Sequence, residues 1–115
     1  MIRHVVLFSA KNPRDIDAIV DTLRGYRAIP GVEALEVERT IRRDPWSNEI
    51  DVALHALFRD EAALAAYKRH PIYEAGTRTV RPLRELRFVA DYVVPDAAVP
   101  DDATPPVERR AAVPA

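Results

Sequence analysis

The chain has 115 residues, enough for one domain with a real core and too few for two. Its 17 basic and 18 acidic side chains leave a formal net charge of -1, so no broad basic field is present to attract nucleic acid or an anionic membrane. The sequence contains no cysteine, which excludes disulfides, thiolate nucleophiles, thiolate zinc sites and cysteine-held iron–sulfur clusters.

Arg3, His4 and Lys11 interrupt the apolar character of the first residues, so they do not read as a signal peptide. No apolar run approaches the roughly 20 residues of a membrane helix. A soluble, cytoplasmic protein is expected, with neither nucleic acid nor membrane as partner.

Residues Ile2 to Ser9 are β-branched and almost continuously apolar, the pattern of a central strand covered on both faces. By the period of two, His4 shares a face with Ile2, Val6 and Phe8. Asn12 and Pro13 then signal a helix start, followed by Ile16, Ile19, Val20, Leu23 and Tyr26 at helical spacing. Pro30-Gly31 ends it. Val32 to Arg42 mixes apolar and charged residues as a half-exposed edge strand does.

Arg43 to Asn48 reads as a loop, with Trp46 a lid over the core or a dimer contact. Glu49 to Phe58 is expected to be a third strand, with Ile50, Val52, Leu54, Ala56 and Phe58 on one face and Asp51, Ala53, His55 and Leu57 on the other. Asp60 is placed to cap a small-sided helix through Ala66, and His70-Pro71 breaks it. Ile72 to Leu83 can resume as helix. Glu85 to Val94 alternates as a last strand, Leu86, Phe88, Ala90 and Tyr92 against Arg87, Val89, Asp91 and Val93. From Pro95 the composition turns to Pro, Ala and Asp without periodicity, so residues 1–94 form the expected domain and 95–115 a flexible tail.

The order strand, helix, strand, strand, broken helix, strand is that of an α+β, ferredoxin-like (βαββαβ) protomer. Helices cover one face of such a four-stranded sheet. Yet Val5, Leu7, Ala53, Leu57, Val89 and Val93 are read as apolar on the second face, which calls for another partner. A homodimer, sheet against sheet, is the simplest one.

Glycine-rich phosphate motifs and the Gly-x-Ser-x-Gly elbow are absent, and the three histidines stand on three different elements, so neither a cofactor nor a metal is expected. Acid–base chemistry by His and Tyr remains. A neutral imidazole accepts a proton near pH 7, and a phenol hydrogen-bonds a developing oxyanion. His4 is either a core histidine satisfied by a carboxylate such as Asp91, or a pocket histidine oriented by it. His70 is a cap at the helix break or a catalytic group. Tyr67 and Tyr73 either fill the seam between helix and sheet or line a pocket. His55 reads as an interface or surface residue. Basic residues are enriched between Lys68 and Arg87, as a solvated face or as an attraction for an anionic ligand.

Three segments, Met1-Ile2-Arg3-His4-Val5-Val6-Leu7-Phe8, Tyr67-Lys68-Arg69-His70-Pro71 and Phe88-Val89-Ala90-Asp91-Tyr92, resemble the stress-responsive dimeric α/β-barrel (Dabb) family over about residues 1 to 94. The resemblance implies a four-stranded antiparallel sheet whose pairing with a second copy makes a dimeric α/β barrel. It extends to the plant polyketide cyclase olivetolic acid cyclase, which works without cofactor through a Tyr-x-x-His-Pro-x-His pattern. Tyr67 and His70 match that pattern, His4 matches a pocket histidine, and Asp91 matches the aspartate before the final tyrosine. Tyr73 stands where the enzyme has its base, and a phenol with an ordinary pKa near 10 is a poor base at neutral pH. The resemblance thus implies His4, Tyr67, His70, Tyr73 and Asp91 as site residues, with the base moved to His4 or His70. Three functions stay open: a cyclase or isomerase acting on an aromatic or polyketide-like ligand, a non-catalytic stress-associated or ligand-carrying dimer, and a cofactorless oxygenase on the same fold.

Overall fold

A computed structural model describes residues 1–95, which run β1 (Ile2–Ala10), α1 (Ile16–Arg24), β2 (Ala34–Arg39), β3 (Val52–Phe58), α2 (Glu61–Arg69), α3 (Pro71–Val80) and β4 (Arg84–Val93). The tail expected from Pro95 onward lies, beyond that residue, outside the described residues. The four strands form one antiparallel sheet in the order β2-β3-β1-β4, with the helices on one face, and this is the ferredoxin-like α+β fold.

Local chemistry sets the boundaries. The Asn12 side chain accepts the Arg14 N–H at 3.0 Å and opens a 3₁₀ turn over Pro13–Asp15 that leads into α1. The predicted stripe Ile16, Ile19, Val20, Leu23 and Tyr26 is buried throughout. Gly31, with φ at +93°, takes the left-handed turn that follows Pro30. Asp60 accepts the Ala63 N–H at 2.9 Å and caps α2. His70 adopts the extended backbone demanded before proline (φ −72°, ψ 142°), so it ends α2 and begins α3.

The core lies between the helices and one sheet face, where Ile2, His4, Val6 and Phe8 of β1 sit opposite Phe58, Ala56, Leu54 and Val52 of β3. Across the sheet, directly opposed residues share a face. Arg3, Val5 and Leu7 are paired with Tyr92, Ala90 and Phe88, whereas Ile2, His4 and Val6 are paired with Val93, Asp91 and Val89. The expected alternation of β4 is present but its sides are exchanged: Val89 and Val93 lie on the helix side, where both remain exposed. The uncovered face is apolar nonetheless, because Phe88 and Tyr92 stand on it, 54% and 49% exposed.

Three other expectations are corrected. Trp46 is no lid over the core: it is 93% exposed on the loop between β2 and β3. Ile50 lies outside β3, which starts at Val52. Asp51 does not face the open side but is buried, accepting the Ala10 N–H at 2.8 Å and an Arg42 N–H at 3.0 Å. A buried carboxylate needs such partners, and the local alternation gave no sign of them.

Gly76 of α3 lies under the Tyr26 ring. A Cβ there would fall 2.6 Å from the Tyr26 hydroxyl oxygen and closer still to the ring. Gly76→Ala must therefore displace a buried aromatic side chain, an overpacking effect of about 1–3 kcal/mol. The expected outcome is a denaturation midpoint lowered accordingly in urea, with little change when Gly25, which has open space around it, is replaced by Ala.

Candidate functional site

The sheet register brings His4 and Asp91 together. They are directly opposed on β1 and β4, and His4 Nδ1 lies 2.5 Å from Asp91 Oδ1. The imidazole is 1% exposed, while solvent reaches the Asp91 side chain through a second cleft of about 400 Å³ between α2 and β4. This contact makes Nδ1 the protonated nitrogen of the neutral ring, and Nε2 the basic one. Among the described residues Nε2 has no hydrogen-bond partner.

The helix break supplies the opposite wall. Tyr67, near the end of α2, is 1% exposed and meets His4 edge-on at 5.9 Å between ring centroids. Tyr73, in the first turns of α3, is half-buried and 5.0 Å from Tyr67. Phe58 packs against both His4 and Tyr67. Tyr26 completes the ring cluster, 5.8 Å from Tyr67 and 5.3 Å from Tyr73, and its hydroxyl donates to the Tyr73 carbonyl at 3.2 Å. The hydroxyls of Tyr67 and Tyr73 have no hydrogen bond among the described residues.

These groups enclose a cavity of about 20 Å³, lined by His4, Tyr26, Tyr67, Tyr73, Arg84 and Arg87 among others. It is large enough for one water molecule. Burial holds the His4 pKa below its ordinary value, against the opposing pull of the Asp91 hydrogen bond and charge, with Lys68 and Arg87 lowering it further. Burial also pushes the Tyr67 phenol well above its ordinary range. The pair is thus a neutral imidazole facing a phenol that keeps its proton.

His4, Tyr67, Tyr73 and Asp91 are brought together here; His70 is not. Its Nδ1 accepts the Ile72 N–H at 3.1 Å, so the side chain caps α3, and it does not line the cavity. Tyr26 lines the cavity without having been named as a site residue from the sequence, and Arg84 and Arg87 line it having been read there only as part of the basic enrichment up to Arg87. Their signals were present but weak: Tyr26 ends the apolar stripe of α1, and Arg87 shares a strand face with Asp91. No three His, Asp or Glu side chains come together as metal ligands among the described residues.

A four-stranded antiparallel sheet covered on one face by helices, in βαββαβ order, places the chain in the ferredoxin-like class of small α+β proteins. The chain belongs to the stress-responsive A/B barrel domain (Dabb) family, whose model matches residues 2–94. Among solved structures, it is similar to a Dabb family protein with a ferredoxin-like fold from Mesorhizobium loti, at 30% identity over 82% of this chain and 96% of that one, with a TM-score of 0.70. A dimeric ferredoxin-like protein of unknown function from Thermobifida fusca shares 22% identity over 81% of this chain and 90% of that one, TM-score 0.71. Hydroxynitrile lyase from Passiflora edulis shares 17% identity over 83% and 94%, TM-score 0.69. No curated protein matches the sequence. No helix among the described residues is long and apolar enough to cross a membrane.

The depressed His4 pKa has a pH consequence. An unfolded chain takes up a proton on this histidine near 6.5, and the folded protein only at lower pH. Its contribution to stability is therefore complete above 6.5 and is lost as pH falls below that value toward the folded pKa. NMR titration is expected to place the His4 midpoint below 6.5, with denaturant stability declining over the same window; a midpoint above 6.5 contradicts the assignment.

Proposed function

We propose that the protein is a homodimeric, cofactor-independent acid–base enzyme of the cyclase or isomerase type, acting on a carbonyl compound of aromatic or polyketide-like character. The single observation that carries this reading is the buried His4, held through Nδ1 by Asp91, with its Nε2 free of protein partners and two phenols beside it. Asp91 fixes the tautomer, as in other histidine–carboxylate pairs. Nε2 then takes a proton from the carbon next to the substrate carbonyl. The Tyr67 hydroxyl, kept protonated by burial, donates to the enolate oxygen that develops. Tyr73, half-buried at the cavity wall, is placed to give a second hydrogen bond. The imidazolium then returns its proton, to another carbon in an isomerisation, or to the alkoxide formed when the enolate carbon attacks a second carbonyl in an aldol closure.

The small cavity favours a second reading, a non-catalytic ligand carrier. A cavity of about 150 Å³ is what holds benzene in a protein core, so an aromatic ligand enters only if Tyr73 or the arginines at the rim swing aside. No feature of the described site favours cofactorless oxygenation over these two. The homodimer is supported by the apolar open face of Val5, Leu7, Phe88 and Tyr92, by a buried Arg3 Nε without a partner, and by relatives described as dimeric. On these grounds, the protein in light scattering is expected at twice the mass of the chain, and Phe88→Asp is expected to shift it toward monomer; a monomeric parent protein rules out the sheet-to-sheet pairing.

The catalytic reading is tested with acetophenone in D₂O at neutral pH, following deuterium exchange at the methyl carbon by NMR. Exchange above the buffer rate is expected, reduced roughly 10²- to 10⁴-fold in His4→Gln and about tenfold or more in Tyr67→Phe. His70→Gln should leave the rate close to the parent value. Exchange that His4→Gln does not slow would remove His4 as the base, and no exchange at all would favour the carrier.

A further inference from the structure

We propose that Arg84 and Arg87 form an anion-binding mouth on the His4–Tyr67–Tyr73 cavity, and that the ligand is a small organic acid whose carboxylate they hold. The inference rests on reading that cavity as a ligand site and adds the charge of the ligand. Both side chains line the cavity. They enter it from β4: Arg87 is opposed to Phe8 on the helix side of the sheet, and Arg84 to Ala10 beyond the register shift that follows Phe8.

Neither guanidinium has an ion pair or hydrogen bond among the described residues. Arg24, Arg39 and Arg42 each meet a carboxylate, of Glu38, Asp17 and Asp51, whereas Arg84 and Arg87 line the cavity without one. Two unpaired cations at one rim repel each other, and Arg84 is also partly buried. Burial, with Arg87 and Arg81 next, pushes the Arg84 pKa down. Such an arrangement is unfavourable without an anion and favourable with one.

The lining tyrosines cannot serve, because they are phenols that burial holds neutral at Tyr26 and Tyr67. Arg87 is close enough to act electrostatically on His4, Tyr26 and Tyr67, and Arg84 acts on Tyr26 and on Tyr73 through their mutual interactions. An anion at the rim would thus place the rest of the molecule toward His4. The planar fork of guanidinium matches a carboxylate through two parallel hydrogen bonds, which gives orientation as well as affinity. The cavity itself, about 20 Å³, holds no more than a water molecule, so the organic part of the ligand enters only as the rim side chains move.

Calorimetric titration of the full chain with benzoate, benzamide and phenyl phosphate tests this. Benzoate is expected to bind about tenfold or more tightly than benzamide, the usual gain of a charge-assisted pair over a neutral one. Arg84→Gln and Arg87→Gln should each remove most of that preference, lowering benzoate affinity far more than benzamide affinity. Equal affinity for benzoate and benzamide, or a preference that survives both substitutions, overturns the anion site. Tighter binding of phenyl phosphate than of benzoate overturns the carboxylate assignment. The two readings fail separately: His4→Gln that stops acetophenone exchange yet keeps the benzoate preference supports both. A benzoate preference with no exchange in the parent leaves the arginine mouth standing on a carrier.

Discussion

The pairing of β1 with β4 is the constraint on which the candidate site depends. It is antiparallel and places Asp91 directly opposite His4, so that an imidazole buried among Val6, Phe8 and Phe58 has a carboxylate within hydrogen-bond reach. A histidine in such a place, without that partner, would carry an unsatisfied donor in the core. A slip of one residue would carry Asp91 to the uncovered face and His4 against an apolar side chain. Register thus decides both the stability of the core and the tautomer of the ring. Asp91 itself borders a second cleft, so the buried imidazole is joined to a carboxylate that water can still reach.

The second constraint is the break between α2 and α3. Proline at residue 71 forbids a helical His70, and the chain turns there, so Tyr67 and Tyr73 approach one point from two helices. Tyr26 packs between them because Gly76 leaves room for its ring, and its hydroxyl ties α3 to the turn after α1. Five aromatic rings consequently enclose a space for about one water molecule. So tight a closure means that anything larger than a water molecule enters only with motion of the lining side chains.

The sheet has two apolar faces and one helical layer, with charge confined to the margins. On the open side Phe88 and Tyr92 extend the surface begun by Val5 and Leu7, and Glu36 and Glu38 mark its far edge on β2. On the helix side the same strand turns Arg84 and Arg87 toward the cavity. One strand, β4, therefore contributes the apolar face offered to a second copy, the carboxylate that holds His4, and the cations at the mouth. Its alternation is what keeps these three roles apart.

The element order, the helix stripe, the caps at Asn12 and Asp60 and the break at His70-Pro71 were all legible in the sequence, because each rests on chemistry within a few residues. The Dabb resemblance named His4, Tyr67 and Asp91 as matches to family positions, and the structure sets His4 beside the other two. What local patterning could not decide was sidedness. The alternation of β4 is the same whichever way it faces, and only pairing with β1 put Arg87, Val89 and Asp91 on the helix side. The same holds for Asp51, whose partners Ala10 and Arg42 lie 41 and 9 residues away. His70 matches the family pattern in sequence yet is used as a cap, since the amide nearest its ring is that of Ile72. Sequence by itself determined the fold and the cast of titratable groups. Only the tertiary structure decided which of them share a cavity, because distances across a sheet and between helices are set by register and packing.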